Sequence, residues 1–370
     1  MSKSILYVAI DVDDLAFHGA GYDGENGKYY EFRCKPTVGS LLKRIKQLEE
    51  KGFEIRICYE ATYIGYGLQR NLEANGIHCD IIAPSSIPEK RSKRVKTDRI
   101  DSRKLAEYYL KGLLTVISIP DKIDEQVRQL IRSRSFVVDQ RRRLKQHILS
   151  SCRFKGIDYR IQTNTRSHHW TKKHLQWLNS QISKQPEITR KMFERLLTQL
   201  IVLDDEVENF DLLIEEFSNM EKYHKRSQAL SCIKGINTLS AMTLLTEIGD
   251  IRRFPHPKNL VSYMGMDIVE YSSGGKEKKF GITKMGNSKI RTTLVEACQS
   301  ITLGTSVGKL LRSRRKGVPI EYVRIAERCQ NRLWKKKHRM SLGTKAPNKI
   351  KVACAREMAG FVWEMLITAA

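Results

Sequence analysis

Four carboxylates in the first part of the chain stand where acidic side chains can hold metal ions. Asp11 lies near the end of the apolar stretch SILYVAIDV, and Glu60 closes the stretch FEIRICYE. Both stretches predict strands, and strand ends on an open α/β sheet are where ligand sites collect. Asp98 and Asp101 stand three residues apart in TDRIDSRKLAEYYLKG, so they share one face of the predicted helix. The sequence therefore predicts an acidic site built from two strands and a helix.

Ligands that offer only oxygen suit Mg²⁺, and two such ions can clamp the attacking and leaving oxygens of a phosphodiester. The chain around them is basic, with 66 Lys+Arg against 41 Asp+Glu. Carboxylates in a chain built to attract phosphates would repel the substrate unless bound metal neutralised them. For each carboxylate alone, a role on the surface or at a helix cap stays open, because Asp98 would lie in the first turn of its helix.

The overall charge predicts a polyanionic partner. The formal net charge is +25, and each phosphate that a protein neutralises releases counterions and favours binding. No apolar run is long enough to cross a bilayer, so we expect no membrane partner. The eight cysteines are scattered without a CxxC pair, which argues against a disulfide scaffold and a structural zinc site. We expect a cytoplasmic, nucleoid-associated protein.

The pattern of strands and helices predicts three regions. Residues 1–118 alternate strand and helix signals and predict an α/β domain with a largely buried sheet. Residues 119–227 are helical, and residues 228–370 predict a mainly α region. Within the last region, SCIKGINTLSAMTLLTEIGDI has the pattern of two helices joined at a glycine-containing turn, and YSSGGKEKKFGITKMGNSKIR predicts a loop.

An apolar seam in the middle region predicts a coiled coil. Eight apolar residues alternate at spacings of three and four: Phe193, Leu196, Leu200, Leu203, Val207, Phe210, Ile214 and Phe217. A similar seam runs from Ile123 to Ile148, where Arg134 and Arg141 interrupt it. Two interpretations stay open: a helical hairpin that packs on itself, and a contact between subunits.

The YSSGG stretch offers a nucleophile. Glycine allows close approach of a phosphate backbone, and a serine in a lysine-rich loop suits covalent catalysis. From the residues alone, a solvated loop is the favoured interpretation, and either Ser272 or Ser273 could act.

Three further features allow contact with nucleic acid. The two-helix pattern around Gly235 is similar to a helix-hairpin-helix, which offers backbone N–H groups to phosphates; simple packing is the alternative. The runs RSRRKG and RLWKKKHR, the second carrying Trp334, are phosphate-binding patches or solvated faces. The histidines His168, His169 and His174 are poorly spaced for a metal, so we expect them to contact RNA or face solvent.

Several motifs resemble one family. CYEATYIGYGLQRNL, APSSIPEKRSKRVKTDRIDSRKLA and SYMGMDIVEYSSGGKEKKFGITKMGNSKIR are similar to the DEDD transposases of insertion sequences, understood as bridge-RNA-guided serine recombinases. The resemblance covers nearly the whole chain. It implies a RuvC-like (ribonuclease H-like) N-terminal domain, a coiled-coil middle and a C-terminal transposase domain.

The resemblance also implies roles for particular residues. The acidic quartet that binds Mg²⁺ would be Asp11, Glu60, Asp98 and Asp101, and the nucleophile would be Ser273, directly before Gly274. The acidic site of one protomer would work beside the serine of another, which requires an oligomer, a dimer or a tetramer. One departure is that Asp13 and Asp14 stand where family members often carry a small residue or histidine and then lysine. Asp13 is therefore an acidic residue near the predicted quartet that could be mistaken for a metal ligand.

The sequence thus predicts a recombinase that cuts and rejoins DNA through a phosphoserine, guided by a structured non-coding RNA. The alternatives are a metal-dependent junction nuclease without a covalent intermediate and a non-catalytic nucleic-acid-binding protein. We expect six basic residues to contact nucleic acid: Lys96, Arg134, Arg141, Lys276, Lys284 and Arg291.

Overall fold

The structure of the protein, a computed structural model, describes residues 4–88, 98–273, 276–302 and 304–370. Within these ranges it does not describe the side chains of residues 86, 98–100, 272–273, 276–279 and 302. The chain divides into two compact units, residues 1–119 and 120–370.

The first unit is an α/β domain around a mixed sheet. Its elements are β1 Ser4–Val12, β2 Phe17–Tyr22, β3 Tyr29–Cys34, α1 Val38–Glu49, β4 Phe53–Glu60, α2 Gly67–Ala74, β5 His78–Ile82 and α3 Asp98–Leu110. The strand order is β3-β2-β1-β4-β5, in which β1, β4 and β5 run parallel and β2 is antiparallel to both of its neighbours. This sheet, followed by a mostly helical region, is compatible with a ribonuclease H-like first domain.

The two faces of this sheet are covered by different helices. Leu6, Val8 and Ile10 of β1 pack in one cluster with apolar residues of α1 and α2. Ala9 of β1 and Cys58 of β4 pack on the opposite face, against Leu105 and Ala106 of α3. The alternation follows from the period of two along a strand.

The sequence pattern did not reveal β2. Its sequence, FHGAGY, contains glycine, which weakens strand signals because it offers no side chain to pack. The structure shows why Gly19 lies there: a Cβ atom at this position would come within 2.1 Å of the Phe32 ring on β3. Neighbouring strands therefore require the small residue, and sequence periodicity alone cannot show that contact.

The second unit is mostly helical. Its elements are α4 Lys122–Phe154, α5 Tyr159–Thr163, α6 Lys172–Ile182, α7 Glu187–Ser218, α8 Glu221–Ser231, α9 Thr238–Ile248, α10 Pro257–Tyr263, β6 Ile268–Ser273, β7 Lys276–Ile282, α11 Ser288–Thr302, α12 Lys309–Arg315, α13 Ile320–Ser341 and α14 Pro347–Ala369. The stretch predicted as a loop forms instead the antiparallel pair β6–β7, because Ile268 to Ser273 and Lys276 to Ile282 pair through their backbones.

The apolar seam of α7 packs against α4 of the same chain. Phe193, Leu200, Val207 and Ile214 are buried at every seventh position, and the intervening seam residues are half-buried. The helices run antiparallel, since Arg134 pairs with Asp211 and Arg141 with Asp204. The arginines that interrupt the seam of α4 thus find carboxylates in α7. The interpretation of a helical hairpin is correct for this seam.

The helical hairpin and the C-terminal region share one core. Val127 and Ile131 of α4 and Ile214 of α7 belong to the same cluster as apolar residues of α8, α9, α11, α13 and α14. The boundary predicted at residue 227 falls inside this unit, and the division into three regions stays a prediction.

A small cluster of aromatic rings buries His174 near the end of α4 and the start of α7. Its side chain is 1% exposed, and its Nδ1 accepts the backbone N–H of Trp170 at 3.0 Å. Its ring packs edge-on against Tyr159. The expectation that His174 contacts RNA or solvent is wrong, whereas His168 is exposed. Burial, with a smaller repulsion from His169, lowers the pKa of His174 to about 4.

Seven of the eight cysteines are buried and all are free thiols. Burial raises the pKa of Cys58 and Cys329, so neither is poised as a thiolate nucleophile. Among the described residues, none of the helices combines the length and apolar character needed to cross a bilayer.

The buried imidazole makes stability depend on pH. Folding lowers the pKa of His174, so the unfolded chain binds the imidazole proton more readily than the folded protein does. The free energy of unfolding is therefore highest above about pH 6.5 and falls as the pH drops towards 4. Over that range we expect a loss of up to about 3 kcal/mol in the free energy of unfolding. Urea unfolding at several pH values measures it.

Two variants isolate this contribution. His174→Phe keeps an aromatic ring but removes the proton-binding site, so its unfolding free energy should fall less steeply between about pH 6.5 and 5. His168→Phe, at an exposed position, should keep the slope of the wild type. Equal slopes for His174→Phe and the wild type would contradict the assignment.

Candidate functional site: an acidic sheet edge and a serine hairpin

The first unit brings Asp11 and Glu60 to the same edge of its sheet. β1 and β4 are adjacent parallel strands, and their paired residues end with Ile10 opposite Tyr59. Asp11 and Glu60 each follow by one residue. Both lie two residues beyond Ala9 and Cys58, which face α3, so both side chains belong to the α3 face of the sheet.

α3 runs antiparallel to β1 across this face. Tyr109, near the end of α3, packs edge-on against Tyr7 and donates to Asp80 at 2.7 Å. Leu105, one turn earlier, packs in the cluster that contains Ala9. Asp101 stands a further turn towards the helix start, and thus on the side of the carboxyl end of β1. The N-terminal end of a helix favours negative charge.

Polar contacts with β3 also fix α3. Arg103 forms an ion pair with Glu31, and the hydroxyl of Tyr29 donates to Glu107. Burial, followed by the hydrogen bond to Glu107, raises the pKa of Tyr29 well above its ordinary value. These tethers orient the helix about its axis and so determine where Asp101 points along the sheet edge.

Of the four predicted carboxylates, Asp11 and Glu60 lie at the ends of adjacent strands and Asp101 lies near the start of α3. Their joint role in binding a metal stays a prediction. Asp11 and Asp101 are half-buried, and Glu60 is exposed. Lys104 lies 3.9 Å from the carboxylate of Asp101. The backbone of Asp98 begins α3, but its side chain lies outside the described part. Among the side chains that are described, no three acidic, histidine or cysteine residues stand close enough to hold a metal ion.

The two extra aspartates have local partners. Asp13 accepts the backbone N–H of Leu15 at 2.8 Å, which stabilises the turn between β1 and β2. Asp14 accepts the hydroxyl of Tyr63 at 2.6 Å, and this hydrogen bond raises the pKa of Tyr63 to about 12. Asp13 is thus used in a turn.

In the second unit, the candidate serines lie on a hairpin. Ser272 pairs with Glu277 and Ser273 with Lys276 across β6 and β7. The sequence between Ser273 and Lys276 is Gly274-Gly275, which lies outside the described residues, as do the side chains of both serines and of Lys276.

The base of this hairpin is closely held by its backbone. Thr283 N–H donates to the Asp267 carbonyl at 2.8 Å, and Asn287 N–H donates to the Tyr263 carbonyl at 2.8 Å. At Gly286, where φ is +147°, a Cβ atom would lie 2.4 Å from the Tyr263 oxygen. Only glycine allows these two segments to approach so closely.

A buried carboxylate connects the hairpin base to α4. Glu247, 3% exposed in α9, accepts from Nδ2 of Asn287 at 2.8 Å and from Nε and Nη2 of Arg132 at 3.1 and 2.9 Å. Arg128 lies 3.8 Å away and donates to the Thr246 carbonyl. Sequence reasoning missed this residue. Its signal was a single glutamate inside the otherwise apolar stretch TLSAMTLLTEI.

The six residues predicted to contact nucleic acid differ in the partners that the structure shows for them. Arg134 and Arg141 pair with carboxylates of α7, and Arg291 donates to the Met264 carbonyl at 2.6 Å. The backbone N–H of Lys284 donates to the Gly265 carbonyl. Lys96 lies outside the described residues, and the side chain of Lys276 is likewise not described. Contact with nucleic acid stays a prediction for all six.

The basic run at residues 312–317 has a structural role. Arg314 donates to the Ile236 carbonyl at 3.1 Å and Arg315 to the Cys232 carbonyl at 3.0 Å. Both carbonyls belong to the turn between α8 and α9, the segment similar to a helix-hairpin-helix. These two guanidinium groups hold the turn from inside the unit.

Comparison with known proteins connects both regions to DNA transposition. Residues 8–152 match the family model described as Transposase, of the DEDD IS110 type, and residues 227–309 match the model described as Transposase IS116/IS110/IS902 family. A putative transposase, y4qE, of Sinorhizobium fredii is 34% identical over 96% of this chain and 87% of its own length. The chain belongs to this transposase family.

Two further relatives cover most of the chain. The transposase for insertion sequence element IS1533 of Leptospira borgpetersenii is 29% identical over 90% of this chain and 96% of its own length. The transposase for insertion sequence element IS1111A of Coxiella burnetii is 23% identical over 81% of this chain and 78% of its own length. The chain is therefore an insertion-sequence transposase of the IS110 family. Its DEDD-type domain indicates a divalent metal ion, for which the oxygen ligands at the sheet edge are suited.

The Glu247 network yields a stability prediction. Glu247→Ala leaves Asn287 and the largely buried Arg128 without their carboxylate partner, whereas the half-exposed Arg132 regains water. Buried polar groups that lose a partner cost about 1–3 kcal/mol. We expect a loss of that size in the free energy of unfolding, measured with urea. Glu208→Ala, which removes an exposed glutamate of α7, should change stability by less than about 0.5 kcal/mol. Equal stability of the two variants would contradict a structural role for the network.

Proposed function

We propose that this transposase cuts and rejoins DNA through a covalent phosphoserine intermediate. The observation that carries the proposal is that one chain matches both family models, one over the acidic sheet edge and the other over the YSSGG hairpin. A recombinase must conserve the energy of each broken phosphodiester if it reseals strands without ATP. A serine ester conserves it, whereas hydrolysis releases it.

In the proposed reaction, Oγ of Ser273 attacks a phosphorus atom of the DNA backbone. A bond forms between Oγ and phosphorus while the bond from phosphorus to one deoxyribose oxygen breaks. The serine proton passes to a base, and the leaving oxygen gains a proton. Rejoining reverses these steps when a deoxyribose hydroxyl attacks the phosphoserine. A free serine hydroxyl is a weak nucleophile, so the site must activate it and stabilise the charged phosphate.

Two groups of residues would stabilise that charge. Asp11, Glu60, Asp98 and Asp101 would hold Mg²⁺, which when bound supplies positive charge at the phosphate oxygens. Lys276, Lys284 and Arg291 follow Ser273 in the hairpin and in the first turn of α11, and would contribute further positive charge. Lys96 precedes α3 and would contact the backbone of the nucleic acid.

Guidance by a structured RNA and assembly into a dimer or tetramer are also part of the proposal. The net charge of +25 supports binding of more than one nucleic acid. On α7, Ile201, Val202 and Leu212 are each more than half exposed, on a helix whose other face packs on α4. Exposed apolar side chains of this kind support a contact with a second copy.

A nicked suicide substrate tests the covalent step. The protein, Mg²⁺, RNA transcribed from the flanks of the element and labelled DNA should yield a protein–DNA adduct that survives denaturation. Ser273→Ala should abolish the adduct, whereas Ser272→Ala should retain it. Asp101→Asn should reduce the yield at least about 100-fold, and Asp13→Asn, which alters only a turn, should not.

The other outcomes separate the alternatives. If Ser272→Ala loses the adduct and Ser273→Ala keeps it, the nucleophile is Ser272 and not Ser273. Cleavage that releases free ends in the wild type, unaffected by both serine changes, would favour a junction nuclease. An adduct of equal yield without the RNA would contradict RNA guidance.

A further inference from the structure

The end of the α13–α14 pair carries an unbalanced positive charge. Between Glu327 and Glu357 the chain has no acidic residue and ten basic ones: Arg328, Arg332, Lys335, Lys336, Lys337, Arg339, Lys345, Lys349, Lys351 and Arg356. We call residues 334–349 the basic tip. It comprises the end of α13, the connection that follows and the first residues of α14.

Carboxylates of α14 neutralise some cations of this run, including one of the basic tip, Lys336. Glu357 accepts from Arg332 at 2.6 Å and from Lys336 at 2.5 Å, and Arg328 pairs with Glu364. Burial of Glu357 opposes its ionisation, but the bonds from Arg332 and Lys336 outweigh it and lower the pKa of this carboxyl. These ion pairs bind the two helices together.

Four cations of the basic tip have no such partner. Lys335, Arg339, Lys345 and Lys349 are all exposed, and within the described part of the chain none lies within ion-pair distance of a carboxylate. Four uncompensated charges within a short stretch repel one another in the free protein. A polyanion that binds there relieves the repulsion and releases its own counterions.

An aromatic side chain stands among these cations. Trp334 is 38% exposed, although its neighbour Leu333 is fully buried in the core. Its indole is stacked on the imidazole of His338, one turn further along α13, with ring centroids 5.7 Å apart and an angle of 10° between the planes. Lys335 and Arg339 repeat the same spacing of four, so aromatic and basic side chains form neighbouring rows on the outer surface of the helix.

This combination suits one class of ligand. Phosphate contacts alone would need only the cations, whereas an exposed indole adds a surface on which a nucleobase can stack. Inside a duplex the faces of each base are covered by the base pairs above and below it, so an unpaired base is the one that can stack on the indole. A membrane surface would require an apolar face beside the cations, but the apolar face of α13 packs into the core, with Ile325, Cys329 and Leu333 buried.

We propose that the basic tip binds a single-stranded stretch of nucleic acid. Trp334 stacks on an unpaired base, and Lys335, Arg339, Lys345 and Lys349 contact the phosphates on either side. The proposal rests on the proposed function only in taking nucleic acid as the substrate. It requires neither the phosphoserine nor the metal site.

Fluorescence anisotropy on the full-length protein tests the tip. The probes are labelled 20-nucleotide single-stranded DNA, single-stranded RNA of the same sequence and the corresponding DNA duplex, each over a series of KCl concentrations. Trp334→Ala should weaken single-strand binding about 5- to 150-fold and leave its salt dependence unchanged. Phe154→Ala is the matched control, because Phe154 is an exposed aromatic, 86% accessible, with Lys155 over its ring.

The charge test uses Lys335→Gln, Arg339→Gln, Lys345→Gln and Lys349→Gln together. Four lost phosphate contacts should reduce the slope of log K against log salt by about 3 for single strands. The control replaces four exposed cations elsewhere in the unit, Lys172, Lys173, Lys184 and Arg195, with glutamine. A larger loss with RNA than with DNA would identify RNA as the strand that the tip holds, and the reverse would identify DNA.

Three results would overturn the proposal. Trp334→Ala could bind single strands as tightly as Phe154→Ala does, the two quadruple variants could have the same salt slope, or duplex binding could weaken as much as single-strand binding. Thermal unfolding of each variant confirms that the fold is kept. The binding measurement does not involve cleavage. A negative result for the basic tip therefore leaves the covalent test of Ser273 unaffected, and a negative covalent test leaves the binding test valid.

Discussion

The parallel pairing of β1 with β4, and the antiparallel course of α3 across that pair, is the constraint on which the acidic site depends. Parallel pairing brings the carboxyl ends of two strands to one edge, which places Asp11 beside the strand that ends at Glu60. Packing of Leu105 and Ala106 over Ala9 and Cys58 then sets the level at which α3 begins. Residues far apart in the sequence reach one edge only because the apolar contacts of the sheet are satisfied first.

A comparable constraint acts on the serine hairpin. β6 and β7 form only a two-stranded sheet, which is marginal by itself in water. Its base is stabilised by backbone contacts between residues 263–267 and 283–287 and by Asn287, which the buried Glu247 connects to Arg132 of α4. These contacts join the base of the hairpin to the core of the unit.

Sequence patterns predicted elements whose signals are local. The apolar runs of β1, β4 and β5 and the heptad spacing of α7 appear in the structure as strands and as a packed helix. The patterns failed where long-range contacts decide: at β2, where Gly19 fits beneath Phe32, and at β6–β7, where backbone pairing orders a polar stretch. Sequence patterns did not predict the burial of His174 and Glu247. Polar side chains are buried where specific hydrogen-bond partners are present, and the sequence pattern does not show those partners.

The same limit applies to the basic residues. Composition predicts that the protein binds a polyanion, but it cannot separate cations that hold the fold from those that remain available. Arg314 and Arg315 bind carbonyl groups of a turn, and Arg134 and Arg141 bind carboxylates of α7, whereas Lys335 and Arg339 remain exposed. Such assignments need the positions of the partners, which only the fold provides.

The most direct test of the account is to locate the divalent metal by iron-mediated cleavage of the polypeptide. Fe²⁺ takes oxygen ligands, and with ascorbate and peroxide it produces radicals that cut the nearby backbone. We expect cuts, mapped by mass spectrometry, near Asp11, Glu60 and the start of α3. Excess Mg²⁺ should suppress these cuts, and Asp11→Asn should abolish them. Cuts that cluster elsewhere, such as around His168 and His169, or that persist in excess Mg²⁺, would contradict a metal site at this edge of the sheet.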